Sequence, residues 1–142
     1  MAKFHGKNLY YSMSTISGGS LINLTTYTQE VNGLPGETEM GDVTVGGASG
    51  HKWYPGLQKV SFSVKMVFDT ITTGSWDVCR TFRVDTAPRL FSFAPAGLTA
   101  TLPLYTGSCW IKSIDFPVNA TELNKFTINC EADDGITVGV VT

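Results

Sequence analysis

Two histidines, three cysteines and a short run of carboxylates are the side chains of this sequence best suited to chemistry. His5 and His51 lie far apart, each among polar residues, and neither belongs to an H-E-x-x-H or C-x-x-C pattern, so their spacing offers no zinc site. The stretch Gly46-Gly47-Ala48-Ser49-Gly50-His51-Lys52 has the glycine content of a phosphate loop. His51 separates the last glycine from the lysine, however, and Trp53 stands where a hydroxyl residue is needed to reach a metal, so nucleotide binding is rejected. Glu37, Glu39 and Asp42 lack the Asp-x-Asp-x-Asp-Gly order of a calcium loop and read as solvated residues of an extended segment. Catalysis needs a nucleophile with an oriented base, or converging metal ligands. The expectation is a chain with no catalytic residue, no metal and no cofactor.

Composition excludes further classes. At 142 residues the chain is long enough for one core and short for two, so a single domain over 1–142 is expected. Ten basic residues against 12 acidic ones leave a net charge of −2, without the excess that holds nucleic acid by its phosphates. The aromatics, Tyr10, Tyr11, Tyr27, Trp53, Tyr54, Tyr105 and Trp110 among them, follow no RNP-like pattern and suit packing better than base stacking. Cys79, Cys109 and Cys130 are odd in number and widely spaced, which reads as buried apolar thiols in a reducing compartment. The opening MAKFHGKNLYYSM has lysines but no apolar run after them, and no stretch is long enough to span a bilayer. A soluble protein made in the cytoplasm, without a membrane partner, is expected. The two sequons, at Asn23 and Asn119, read as ordinary loop or strand-edge residues.

A period of two runs through most of the chain. From Gln58 to Asp69 the even positions Val60, Phe62, Val64, Met66 and Phe68 are apolar, while Ser61, Ser63 and Lys65 make the odd face polar. The same alternation is read in Trp110, Ile114, Phe116 and Val118, in Phe126, Ile128 and Cys130, and in Ile136, Val138 and Val140. Asp133-Asp134-Gly135 predicts a hairpin between the last two segments. Leu9–Met13 and Leu24–Val31 are read as an early pair flanking the Ser17-Gly18-Gly19-Ser20 turn. One segment, Ser75 to Val84, has helical spacing, with Ser75 as N-cap, Asp77 in the first turn, Trp76 and Cys79 on one face and Pro88 beyond the end. The fold expected is mainly β, with one short α-helix at about 75–84 and a long loop between early strands at about 32–57.

The loop's polar, glycine-dense part, Glu37 to Leu57, carries no ligand set. Ordering about twenty irregular residues costs roughly 1–2 kcal/mol each in backbone entropy, so a segment of this kind calls for a partner. Strand edges left open by a β-rich chain ask for cover as well, and self-assembly supplies it.

Five stretches, in order, resemble the tail tube (major tail) proteins of long-tailed bacteriophages: Phe4-His5-Gly6-Lys7-Asn8; Leu21-Ile22-Asn23-Leu24-Thr25-Thr26-Tyr27; Asp42-Val43-Thr44-Val45-Gly46; Pro55-Gly56-Leu57; and Pro95-Ala96-Gly97. Val45 departs from the pattern, since many members carry an aromatic there. The resemblance implies a β-sandwich or barrel-like core with a flanking helix, and six copies per ring. The rings stack into a hollow tube, part of the virion, with other tail proteins at its ends, through which DNA passes without specific binding. It also implies that the terminal arm and the long loop lock ring to ring. That makes Glu37, Glu39, Asp42, Val43, Thr44, Gly46, Gly47, Gly50, His51 and Trp53 the expected assembly interface, and Ser61, Ser63 and Lys65 the candidates for the bore. The alternatives are a capsid decoration or binding module and a secretion-system tube subunit of related fold; an enzyme is disfavoured by the missing catalytic groups.

Overall fold

Alternation of apolar and polar residues accounts for most of the sheet in a computed structural model that describes residues 5–15 and 20–142. Nine strands are present among the described residues: β1 (Tyr10–Ser14), β2 (Leu21–Asn23), β3 (Thr28–Asn32), β4 (Glu37–Asp42), β5 (Trp53–Lys59), β6 (Ser61–Val67), β7 (Arg89–Ala94), β8 (Pro103–Asp115) and β9 (Lys125–Val140). Seven form one antiparallel sheet in the order β2-β1-β7-β8-β9-β6-β3, and β4 and β5 form a separate hairpin. Phe4 and residues 17–19 of the expected early turn lie outside the described residues.

The sheet curls around its apolar face. β6 and β7 are three inter-strand steps apart, about 14 Å across a flat sheet, yet the rings of Phe62 and Phe91 lie 4.8 Å apart. As the alternation predicts, Val60, Phe62, Val64 and Met66 are buried in this core with Tyr11, Met13, Phe93, Ile111, Phe126 and Ile128. The three cysteines join them as free buried thiols. Burial pushes the Cys79 thiol up to about 12, and the hydrogen bond with Cys109, together with burial, raises that of Cys130, so both are unreactive packing residues.

Helix α1 (Ser75–Cys79) closes the open side, with Val78 and Cys79 buried and Trp76 packed edge-on against Phe116 and Phe126. It is shorter than the predicted 75–84, and Phe82–Val84 is a separate 3-10 turn. The Val78 carbonyl, which residue 82 would need to continue the α ladder, accepts from Arg89 Nη1 instead. Gly74, not Ser75, is the N-cap. The Ser75 hydroxyl donates to the Val67 carbonyl (2.5 Å) and accepts from the Asp69 amide (3.2 Å), fastening the helix to the end of β6.

Four other expectations need correction. Asp133-Asp134-Gly135 does not turn the chain: β9 runs on as one strand of 16 residues, because β8, 13 residues long, pairs with both halves. Asp134 (φ 59°) and Gly135 (φ 76°) do adopt the left-handed geometry of a turn, but they form a bulge between the Ser108↔Asp133 and Gly107↔Ile136 pairs. Past that bulge Val138 and Val140 extend beyond the core and are exposed. In β8, Cys109 and Ile111 point inward and Trp110 outward, opposite Glu131. A register shift between Ile111 and Ser113 restores Ile114 to the inner side, and Phe116 and Val118 lie beyond the strand. β1 takes Leu21–Asn23 as its hairpin partner. Leu24 to Tyr27 is a turn, closed by Thr28 Oγ1 donating to the Leu24 carbonyl (2.9 Å), and β3 crosses to β6. The two sequon asparagines, expected to be loop or strand-edge residues, accept from the backbone amides of Thr25 (2.9 Å) and Thr121 (3.0 Å).

Candidate functional site: an exposed hairpin and a polar face

The segment expected to be a long irregular loop is largely the β4–β5 hairpin, paired from Glu37↔Lys59 to Asp42↔Trp53, with only Val43 to Lys52 irregular. Its sequence hid this because Gly41, Pro55 and Gly56 interrupt any alternation, and the register shifts between Thr38 and Met40. Every residue of both strands is exposed. Met40, Trp53, Tyr54 and Leu57 are among them, Leu57 at 80%. A two-stranded hairpin on its own is marginal in water, and exposed large apolar groups mark contact surfaces.

The tip is held by side chains. Asp42 Oδ1 accepts from the Thr44 hydroxyl (2.5 Å) and the Thr44 amide (2.9 Å), and Oδ2 lies 3.1 Å from His51 Nδ1. The Thr44 hydroxyl also accepts from the Lys52 amide (2.9 Å), and the Val43 amide donates to the Lys52 carbonyl (2.9 Å). The Thr44 hydroxyl, its amide and His51 together hold the Asp42 carboxyl below the usual range. The His51 ring stands 5.9 Å from that of Trp53. Of the ten expected interface residues, the structure thus brings Asp42, Val43, Thr44, His51 and Trp53 together at the tip. Gly46, Gly47 and Gly50 form the open turn beyond, where an added Cβ would touch nothing within 4 Å. Glu37 sits at the base and Glu39 in the register shift, so the three carboxylates do not converge. Among the described residues no group of three His, Cys, Asp or Glu could hold a metal ion, and no helix is long and apolar enough to cross a membrane.

Ser61, Ser63 and Lys65 lie on the outward face of β6, opposite Glu131, Asn129 and Thr127. Ser61 donates to Glu131 Oε1 (2.7 Å), and Lys112 Nζ stands 3.6 Å from the same atom; these contacts lower the Glu131 carboxyl from its usual range. Asn129 donates to Ser113 (3.0 Å) and Asp115 (3.1 Å). On this face Lys112 pairs with Glu131, and Lys65 and Lys125 share the surface with Glu30, Asp115 and Asp133, so there is no basic excess.

No protein-family model matches the chain, and no curated protein does. Solved structures match nearly its whole length. The SPP1 tail tube does so at a TM-score of 0.71, with 14% identity over 97% of this chain and 80% of that one. The tail of an empty gene transfer agent particle, with C6 symmetry, gives 0.69 and 17% identity over 97% and 99%. The chain has the tail-tube fold. A sheath/tube terminator of an extracellular contractile injection system, PVC, shares it at a TM-score of 0.71, with 12% identity over 98% of each chain.

Two features of this tail-tube fold escaped the sequence reading. Arg89 is wholly buried: Nε donates to Asp85 Oδ2 (2.7 Å), Nη2 to Asp85 Oδ1 and Thr81 Oγ1 (3.2 Å each), and Nη1 to the Val78 carbonyl. Its signal was present, since Arg89 occupies the same alternation phase as Phe91 and Phe93. The other is Gln58, at the hairpin base, whose Oε1 accepts from the Ile136 amide (3.1 Å) across 78 residues of sequence, a contact without any local signature.

Proposed function

We propose that the protein is a structural virion subunit that assembles with copies of itself into stacked hexameric rings, forming the hollow tail tube through which DNA passes. The observation that carries this reading is a tail-tube fold from which an exposed, apolar-bearing hairpin projects. In the proposal residues 1–142 form one tube-forming domain with an N-terminal arm, and the hairpin is the contact between rings. The Asp42–Thr44–His51 tip shapes that contact, and Trp53 supplies apolar area. The face bearing Ser61, Ser63 and Lys65 lines the bore. Its lack of a basic excess suits passage, because each phosphate neutralised by a lysine or arginine adds salt-sensitive affinity that would slow DNA. The role is structural, without catalysis, and other tail proteins cap the tube.

The test is assembly. Purified protein is expected to form tubes of stacked rings by negative-stain microscopy. A variant lacking Gly46 to Gly50 should stay folded and fail to polymerise, since an exposed turn tolerates shortening. Long tubes from that variant would remove the hairpin tip from the interface, and trimers or inert monomers from the intact chain would overturn the tube reading. The likeness to the contractile injection system favours a second reading, an injection-tube subunit. Immunogold labelling separates the two: signal on DNA-filled particles supports the first, and signal only on DNA-free sheathed particles supports the second.

A further inference from the structure

We infer that Gln58 and Gly135 are positioning residues that aim the β4–β5 hairpin, so that the arm leaves the sheet in one direction before any partner arrives. With every residue of β4 and β5 exposed, the fixing of its direction falls to its base. There β9 runs on past the end of its pairing with β6 at Ser61↔Glu131, and just beyond the bulge in which β8 skips Asp134 and Gly135, Gln58 Oε1 takes the Ile136 amide at 3.1 Å.

Glycine at 135 serves both conformation and space. Its φ is +76°, and a Cβ there would lie 2.7 Å from Gln58 Oε1 and 3.3 Å from Cδ. Just before the bulge, the Ala132 amide donates to the Val60 carbonyl (2.9 Å), tying the β5–β6 junction to β9. Just before the other strand of the hairpin, Gly36 lets the backbone press on Val60, whose Cγ atoms would stand 2.6 and 2.8 Å from a Cβ at that position. The base is thus clamped from both sides, with Gln58 as its polar contact to the bulge. An arm fixed in this way loses less freedom on assembly than a swinging one, and therefore assembles at lower concentration. This rests on the tube reading only for its consequence; the aiming itself is a property of the single chain.

The experiment compares Gln58→Met, which keeps the length and removes the acceptor, with Gln58→Glu, which keeps an acceptor oxygen. In the unassembled protein, amide exchange at Ile136 should rise about tenfold in Gln58→Met, the worth of one hydrogen bond. Residual dipolar couplings of the hairpin amides should collapse relative to those of the sheet, and Gln58→Glu should behave as the parent in both measurements. The concentration needed for tube formation should rise about tenfold in Gln58→Met alone. Unchanged Ile136 exchange and unchanged couplings in Gln58→Met would overturn the inference, as would equal effects of the two variants. Failure of the parent protein to form tubes would defeat the functional reading instead, leaving exchange and couplings to decide the aiming.

Discussion

Replacing Asp85 by alanine strands a guanidinium inside the protein. Arg89 has no exposed side-chain surface and Asp85 only 2%, and they share two hydrogen bonds, at 2.7 and 3.2 Å. Removing one partner of such a pair leaves a buried charge whose remaining ligands, Thr81 Oγ1 and the Val78 carbonyl, are neutral, at a cost of about 3–5 kcal/mol. For a chain of 142 residues, with a melting shift of about 2–4 °C per kcal/mol, that corresponds to a Tm roughly 6–20 °C lower. The double variant Asp85→Leu/Arg89→Met removes both charges and fills similar volume, so it should recover most of the loss. Urea unfolding followed by circular dichroism, with wild type, both single variants and the double, gives the coupling energy directly. A loss below about 1 kcal/mol for Asp85→Ala would refute the reasoning, because a fully desolvated charge cannot be left unpaired so cheaply. A double variant as unstable as the two singles combined would also refute it.

Phe62→Ala should cost about 3–5 kcal/mol in the same melts, since its ring is buried against Phe91, whereas Ser63→Ala on the outward face should stay within about 0.5 kcal/mol; the reverse ranking would invert the strand's register. Because the folded Asp42 carboxyl is depressed, its stabilisation of the hairpin tip is present above the ordinary aspartate value and disappears as pH falls through the lower folded one. The protection of the Thr44 amide in the unassembled protein, its exchange taken relative to the intrinsic rate at each pH, should therefore fall in that acidic window, and Asp42→Asn should remove that fall. Assembled tubes should show no appreciable affinity for short duplex DNA at physiological salt, because the outward face has no basic excess. Sub-micromolar binding that falls steeply with added salt would sink both the bore assignment and the conduit.

Local sequence was enough wherever a residue's own backbone or one clean alternation decides the outcome. The even positions of β6 are buried, the cysteines are packing thiols, a helix starts next to Ser75, and Asp134-Gly135 has left-handed geometry. Tertiary structure decided which strand each segment meets. The same Asp-Gly geometry would have made a hairpin, but a long β8 offered hydrogen bonds to both halves of β9, so the two residues were bulged out instead. Glu37 to Lys59 pairs with itself despite its glycines and Pro55, because cross-strand hydrogen bonds need no alternation. Arg89 enters the core only because Asp85, Thr81 and the end of α1 converge to satisfy its guanidinium, and Gln58 finds Ile136 only where β9 has run past the end of β6. Periodicity reports which face of a strand is apolar, but not what lies across from it. That was settled by long-range pairing, through hydrogen bonds whose donors and acceptors every residue carries alike.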